Sequence, residues 1–117
     1  MNIAPATAEL LRAYYGGREV PTTYALAVFD DEGALIAIAG LIPHGGAAFL
    51  YSDASRHLHK LHPKLTMRVT RRLLQLAETR GWDVEAQAEE DNDAAPRFLE
   101  HFGFELIEDR KYIKWAR

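Results

Sequence analysis

The sequence contains no cysteine and no long apolar segment, and both absences narrow the kinds of protein it can encode. Without cysteine among the 117 residues, disulfides, thiolate metal ligands and thiol nucleophiles are excluded. No run approaches the roughly 18 to 20 apolar residues that a membrane helix needs, and residues 1–5 lack the basic and apolar regions of a signal peptide. We expect one cytoplasmic domain over residues 1–117, without a membrane segment.

Acidic residues are also missing from one long stretch, although the net charge of the chain is -3. Residues 54–77 contain no Asp or Glu. The same stretch carries Arg56, His57, His59, Lys60, His62, Lys64, Arg68, Arg71 and Arg72. Such a concentration predicts a local anion site, because the summed field of several cations attracts an anionic ligand even when net charge opposes it. The alternative is an ordinary solvated helix face.

The periodicity of apolar residues predicts a mixed α/β (α+β) fold with the element order α-β-β-β-α-β-α-β-β. Helices are predicted over residues 4–15, from residue 62 or 63 to residue 80, and over residues 93–102. Strands are predicted over residues 22–29, 34–42, 48–52, 83–88, 104–108 and 111–115. The crossover through the long helix predicts that the strands at 48–52 and 83–88 lie side by side and parallel. Asn92 and Asp93 are the predicted N-cap of the last helix.

Asn92 is followed by Ala95 on the predicted last helix and by Gly103 and Phe104 after it, and the long helix ends with Ala77 and Gly81. In these residues and their spacing, the sequence over residues 22–115 resembles the GCN5-related N-acetyltransferase (GNAT) family. The resemblance implies a GNAT-like mixed sheet with a central parallel strand pair. It also implies acetyl transfer from acetyl-CoA to an amine, such as a protein lysine or N-terminus.

Two functional signatures of the family are altered in this chain. GNAT proteins hold acetyl-CoA with a loop of pattern Arg/Gln-x-x-Gly-x-Gly/Ala at the start of the long helix, where small residues let the pyrophosphate approach backbone N–H groups. Leu61, Lys64 and Thr66 stand at the three specified positions. Many relatives also protonate the CoA sulfur with a Tyr seven residues after the Asn, and that position here is Leu99.

These departures leave two interpretations open. In the first, Lys64 and Arg68 neutralise the phosphates by direct charge, while backbone N–H groups near the helix start still point at the anion. In the second, the cofactor loop is lost and only the scaffold remains. For the first, the resemblance implies acetyl-CoA as the cofactor and the following binding residues: Tyr51, Ser52, Lys64, Leu65, Thr66, Arg68 and Asn92.

A catalytic residue is not assigned by the sequence, and Asp53 is the one candidate. It follows the third predicted strand, where GNAT proteins bring the amine and the acetyl carbonyl together, so its carboxylate could deprotonate the amine. The alternative is a turn residue that caps the strand end. His57, His59 and His62 have a spacing that suits a metal ion, but Asp53 is the only carboxylate nearby, and we expect no metal site.

A basic ridge recurs every four residues along the predicted long helix, at Lys60, Lys64, Arg68 and Arg72. It could contact nucleic-acid phosphates, an acidic protein or the 3′-phosphate of CoA. Nucleic acid is the least favoured of these ligands, because the net charge is negative and the chain offers no recognition helix.

A narrower resemblance is to short GNAT-like proteins of tailed phages, described as internal virion or head proteins, in residues 55–62 and 92–104. It implies an alternative function, an inactive GNAT scaffold that acts in protein interaction or virion assembly, in the host cytoplasm or the virion. The strand that usually precedes the first helix is predicted to be missing, which favours a large acceptor or a partner chain. Lys111–Trp115 is the candidate sheet edge for a homodimer.

Overall fold

The computed structural model describes residues 2–14, 16–17, 24–54, 62–89 and 94–116, which form seven strands and three helices. The strands are β1 (Asn2–Pro5), β2 (Tyr24–Phe29), β3 (Leu35–His44), β4 (Ala47–Ala54), β5 (Asp83–Gln87), β6 (Glu105–Glu108) and β7 (Lys111–Lys114). The helices are α1 (Ala8–Tyr14), α2 (Pro63–Arg80) and α3 (Ala95–His101). Within these ranges no helix is long and apolar enough to span a membrane.

The described strands form one sheet in the order β1-β2-β3-β4-β5-β7-β6. Residues 47–49 of β4 pair in parallel with residues 83–85 of β5, and every other neighbouring pair is antiparallel. The predicted parallel pair and the predicted mixed fold class are therefore confirmed. The connection between β4 and β5 passes through α2, as a parallel pair requires.

The main core lies between α2 and one face of the sheet. The helix has a continuous apolar side, from which Val69, Leu73, Leu74 and Ala77 are buried. They form one cluster with sheet residues that include Leu26, Val28, Leu41, Ala48, Val84, Ala86 and Tyr112. Burial of this apolar surface is the largest favourable contribution to folding.

A smaller cluster lies on the opposite face, because successive residues of a strand point to opposite sides. It consists of Leu11 from α1 with Ala25 and Ile38, and the half-buried Tyr51 packs against it. Gly40 makes room for the tyrosine ring, since a Cβ atom at this position would lie 2.9 Å from Cε1 of Tyr51. A side chain larger than hydrogen at position 40 therefore conflicts with this cluster.

Both ends of α2 follow the signals in the sequence. Pro63 is the first helical residue, where its missing N–H costs no helical hydrogen bond. Gly81 ends the helix with a φ of 71°, in the left-handed region that glycine tolerates best. The N–H of Trp82 then donates to the carbonyl of Ala77 at 3.0 Å, which satisfies an otherwise free helical carbonyl.

The start of the chain differs from the prediction of a helix over residues 4–15. Residues 2–5 form β1, which pairs with residues 26–29 of β2, and the helix begins at Ala8. Pro5 is tolerated because β1 is an outermost strand, while Thr7 Oγ1 caps the helix by accepting the N–H of Leu10 at 3.1 Å. The prediction that the first strand is missing is wrong, and the argument for a large acceptor loses this support.

The predicted dimer edge at Lys111–Trp115 is also wrong. β7 pairs with β5 on one side and with β6 on the other, so it has no free edge. The outermost described strands are β1 and β6. The other predicted boundaries agree with the described elements within two residues, and the predicted N-cap residues Asn92 and Asp93 lie outside the described part of the chain.

Truncation of Leu73 tests the main core. Leu73 is 3% exposed, so Leu73→Ala should lower the free energy of unfolding by about 2–5 kcal/mol. Leu76→Ala removes the same atoms from a half-buried site on the same helix and should cost clearly less. Urea unfolding of both variants measures the difference, and equal losses would contradict the proposed packing of α2.

Substitution of Gly40 tests the smaller cluster. Gly40→Ala should destabilise the protein by about 1–3 kcal/mol, because the added methyl group also lies 3.0 Å from Ala25 Cβ and 3.0 Å from the carbonyl of Tyr24. The penalty should shrink in a Tyr51→Ala background, where the ring is gone, which a double-mutant cycle detects in urea unfolding. A neutral or stabilising Gly40→Ala would disprove the close contact with Tyr51.

Candidate functional site

The sheet opens between its two parallel strands. β4 and β5 are paired only up to Phe49 and Glu85. Beyond that pair, within the described residues, β4 continues to Ala54 with β3 as its partner, and β5 continues to Gln87 with β7. Crevices at the carboxyl ends of parallel strands are frequent ligand sites in α/β sheets. We take this gap, called the β4–β5 opening below, as the candidate functional site.

The N-terminus of α2 lies at the same end of the sheet, because the crossover helix runs back from the carboxyl end of β4 to the start of β5. The N-cap residue His62 makes no side-chain hydrogen bond to the helix, and the first turn contains no acidic residue. Pro63 has no N–H, and the N–H of Thr66 donates to the carbonyl of His62 at 3.2 Å. The N–H groups of Lys64 and Leu65 are left without an acceptor in the helix, an arrangement that suits an anion.

The two predicted cations of the site are accessible. Lys64 and Arg68 are exposed on successive turns of α2, and no described residue forms an ion pair with either of them. The helix N-terminus adds a partial positive charge of its own. This part of α2 is therefore a cationic surface without a carboxylate in its first turn.

The side chains of two other predicted binding residues on α2 make contacts within the protein. Leu65 is half-buried and packs against the main core, and the hydroxyl of Thr66 donates to the carbonyl of His62 at 3.3 Å. A contact between an anion and Leu65 therefore has to involve its backbone N–H rather than its side chain. The sequence places both residues at the helix start but does not reveal which way their side chains turn.

On β4 the predicted residues divide between the two faces of the strand. Ser52 is exposed, whereas Tyr51 packs in the smaller cluster next to Gly40. Asp53 stands opposite Ile38 of β3, and its side chain lies outside the described part of the structure. Asn92 lies outside it as well, so the roles of both residues stay predictions.

Leu99, which replaces the family's tyrosine, is 6% exposed and belongs to the main core. Its side chain can supply neither a proton nor a hydrogen bond. Of the three histidines considered for a metal ion, His57 and His59 lie outside the described residues. The described residues contain no group of three or more potential metal ligands.

Phe49 and Glu85 were not identified from the sequence, yet they form the last residue pair before the strands separate. Both are exposed, on the face away from α2, since their neighbours Ala48 and Val84 belong to the main core. The alternation of β5 predicts an exposed Glu85. Its position beside Phe49 depends on the register of two distant strands, for which the sequence carries no signal.

A groove of about 230 Å³ lies at the opposite end of β5. Its lining residues are Leu74, Ala77, Glu78, Trp82, Val84, Gly103, Glu105, Lys114, Trp115 and Ala116. Trp82 is held there by Tyr24, with ring centroids 5.6 Å apart. The groove contains none of the predicted cofactor-binding residues, and the ends of β4 and β5 remain the better candidate for chemistry.

Neither a protein-family model nor a curated protein sequence matches this chain, but several solved structures do. The ribosomal-protein-S18-alanine N-acetyltransferase from Escherichia coli matches with a TM-score of 0.71 and 14% identity, over 96% of this chain and 88% of that one. The PaiA N-acetyltransferase from Thermoplasma acidophilum, solved in complex with coenzyme A, matches with a TM-score of 0.62 and 16% identity, over 90% of this chain.

A GCN5-related N-acetyltransferase from Kribbella flavida also matches, with a TM-score of 0.62 and 16% identity, over 87% of this chain. This chain spans 64% of the length of the PaiA protein and 64% of the Kribbella protein, less than two thirds of each. At these identities the similarity concerns the backbone. The described part of the chain, a seven-stranded mixed sheet with three helices, has the GNAT fold.

Proposed function

We propose that this chain transfers an acetyl group from acetyl-CoA to an amine. The observation that carries the proposal is the β4–β5 opening at the same end of the sheet as the cationic start of α2. The fold gives general support, because the similar structures are N-acetyltransferases and one of them was solved with coenzyme A.

The start of α2 fits the anionic part of CoA in charge and in hydrogen-bonding groups. The N–H groups of Lys64 and Leu65 have no acceptor within the helix and can donate to a phosphate oxygen, and no acidic residue of the first turn repels it. Lys64 occupies a position where a small residue would allow the closest approach of a phosphate to the backbone. We therefore assign much of the binding to the charges of Lys64 and Arg68 rather than to a tight backbone cradle.

The reaction forms a C–N bond and breaks the C–S bond of the thioester that acetyl-CoA supplies, while the amine loses a proton. Two carboxylates of this chain are candidates to accept that proton, directly or through water. Asp53 is the candidate from the sequence, and Glu85 is exposed where the strands begin to separate. The side chain of Leu99 has no proton to give, so the departing thiolate takes its proton from solvent or from another group at the site.

The acceptor is an amine, and a protein lysine or N-terminus is the class to test first. The Escherichia coli structure is named for an alanine of ribosomal protein S18, which makes a peptide with a free N-terminal alanine a suitable first acceptor. Acetylation of the peptide can be followed by mass spectrometry.

The alternative is an inactive GNAT scaffold that acts in protein interaction, for example as a phage virion or assembly protein. One observation favours it. The position of the family's proton donor is occupied by Leu99, whose side chain is buried in the main core. On this alternative, the opening between β4 and β5 is a remnant of the fold and binds no cofactor.

Calorimetric titration with acetyl-CoA distinguishes the two functions. The acetyltransferase should bind acetyl-CoA with a micromolar dissociation constant, more weakly as salt is raised, because salt screens exposed charges. The Lys64→Ala/Arg68→Ala variant should bind at least about tenfold more weakly, since it loses two charge-assisted contacts.

Arg12→Ala/Arg80→Ala is the matched control, because it removes two exposed cations, one from α1 and one from the last turn of α2, and should leave the affinity unchanged. If the unmodified protein does not bind acetyl-CoA, or if both double variants weaken binding equally, the proposed site is wrong. In the first case the scaffold function is the better account.

A further inference from the structure

Exposed apolar side chains are concentrated at one edge of the sheet. Among the described residues, four large apolar side chains are exposed, and three of them are Leu106 (59%), Ile107 (51%) and Trp115 (47%). Leu106 and Ile107 belong to β6, which is the last of the described strands in the sheet and pairs with β7 alone among them. No described strand pairs with the outer N–H and C=O groups of β6, and such a row can pair with another strand. We call β6 together with Trp115 the β6 edge.

The β6 edge continues into the groove of about 230 Å³. Glu105 and Trp115 belong to both, and the indole N–H of Trp115 donates to Glu105 Oε2 at 3.2 Å. Leu74, Ala77 and Val84 are apolar residues of the groove lining, and the second tryptophan, Trp82, belongs to it as well. A segment that extends along β6 can therefore place one side chain in this groove.

Of the carboxylates on this surface, some form an ion pair with a described residue and others do not. Lys111 Nζ lies 2.9 Å from Glu108 Oε1, and this hydrogen bond raises the pKa of Lys111. By contrast, no described residue forms an ion pair with Glu78 or Glu105, the two carboxylates of the groove.

Lys114 is the single cation in the groove lining, and Arg80 stands beside the groove, with its guanidinium 5.9 Å from the ring centroid of Trp82. A third carboxylate lies at the same end of the sheet, because Asp83 Oδ1 accepts the N–H of the lining residue Ala116 at 2.7 Å. Three carboxylates against two cations favour a cationic side chain in the groove.

We propose that the β6 edge and the groove bind an extended, basic segment of another protein. The segment adds a strand to β6 through backbone hydrogen bonds, and its apolar side chains cover Leu106 and Ile107. A lysine or arginine of the segment enters the groove between Glu78 and Glu105, where the indole of Trp115 adds a favourable contact with the cation.

A second copy of the chain fits this edge less well. If two β6 strands paired antiparallel about their centres, Glu105 of each copy would stand opposite Glu108 of the other, and like charges directly opposite are destabilising. These two glutamates therefore disfavour a second copy at the edge and favour a segment that carries positive charge.

This surface is separate from the proposed acetyltransferase site. The groove lies where α2 ends and β5 begins, whereas the β4–β5 opening lies at the other end of β5. A bound segment would leave the opening free. The proposal therefore holds whether or not the chain transfers an acetyl group.

Binding of synthetic peptides to the full chain tests the proposal. The probes are fluorescein-labelled nine-residue peptides of alternating Thr and Val that carry one Lys at successive positions, with a matched set that carries Glu instead. In fluorescence anisotropy, at least one Lys peptide should bind with a micromolar dissociation constant, and its Glu counterpart at least tenfold more weakly. Successive N–H groups of an extended peptide point to opposite edges, so alternate backbone nitrogens form two sets. Methylation of the set that faces β6 should abolish binding, and methylation of the other set should not.

Two charge reversals locate the peptide. Glu105→Lys should raise the dissociation constant of the Lys peptide at least tenfold. Glu100→Lys makes the same charge change on α3, outside the β6 edge, and should leave the dissociation constant unchanged. Urea unfolding verifies that each variant is folded. If Glu105→Lys does not fold, Glu78→Gln is used in its place.

Four results would overturn the proposal. They are no saturable binding of any Lys peptide up to millimolar concentration, equal binding of the Lys and Glu sets, equal weakening by the two charge reversals, and self-association of the chain that Leu106→Glu abolishes. The last result, measured by analytical ultracentrifugation, would assign the β6 edge to a second copy.

Discussion

The attachment of α2 to the sheet is the constraint on which the remaining structure depends. β4 and β5 share only three residue pairs, too few to hold two strands in place by themselves. The buried side of α2, with Leu73 and Ala77, packs across β2, β3 and β5 and fixes the strands from one face. Because the helix supplies this support, the strands can separate beyond Phe49 without loss of the core, and a gap persists in an otherwise continuous sheet.

The direction of α2 also separates the chemistry of the two ends of the sheet. Its first turn, which lacks acidic residues, lies by the carboxyl ends of β4 and β5, and its last turn leads into Gly81 and the groove. The start of α2 offers backbone donors with the cations Lys64 and Arg68, whereas the groove offers two indole rings with the carboxylates of Glu78 and Glu105. The two ligands proposed above therefore belong to opposite ends of the sheet, an anionic ligand at the start of α2 and a cationic side chain at its end.

The sequence predicts those parts of the fold that depend on local patterns. The apolar period of residues 63–80, Pro63 and Gly81 define α2 correctly, and the crossover rule then predicts the parallel pair. β1 is missed because Pro5 suits both a first helical turn and an outermost strand, although Thr7 is a cap signal that marks the later helix start. The order β5-β7-β6 has no local signal, since a hairpin can join a sheet through either of its strands.

In the candidate site, too, the sequence predicts the features that follow a local period and misses those that depend on packing. The exposure of Lys64 and Arg68 follows from the helical period. The inward orientation of Tyr51 and Leu65 depends on which face of β4 and which side of the first turn meets the core. Glu85 comes beside Phe49 only through the register of two strands more than thirty positions apart. Contacts of this kind depend on how the elements pack in three dimensions, and they cannot be predicted from a single sequence.

The placement of the two tryptophans has an optical consequence. The chain contains only Trp82 and Trp115, and both line the groove at the far end of β5 from the opening. Indole emission responds to the polarity and charge in its immediate surroundings. The intrinsic fluorescence of this protein is therefore a built-in reporter of one end of the molecule, and it distinguishes an occupant of the groove from a ligand at the start of α2 without any label.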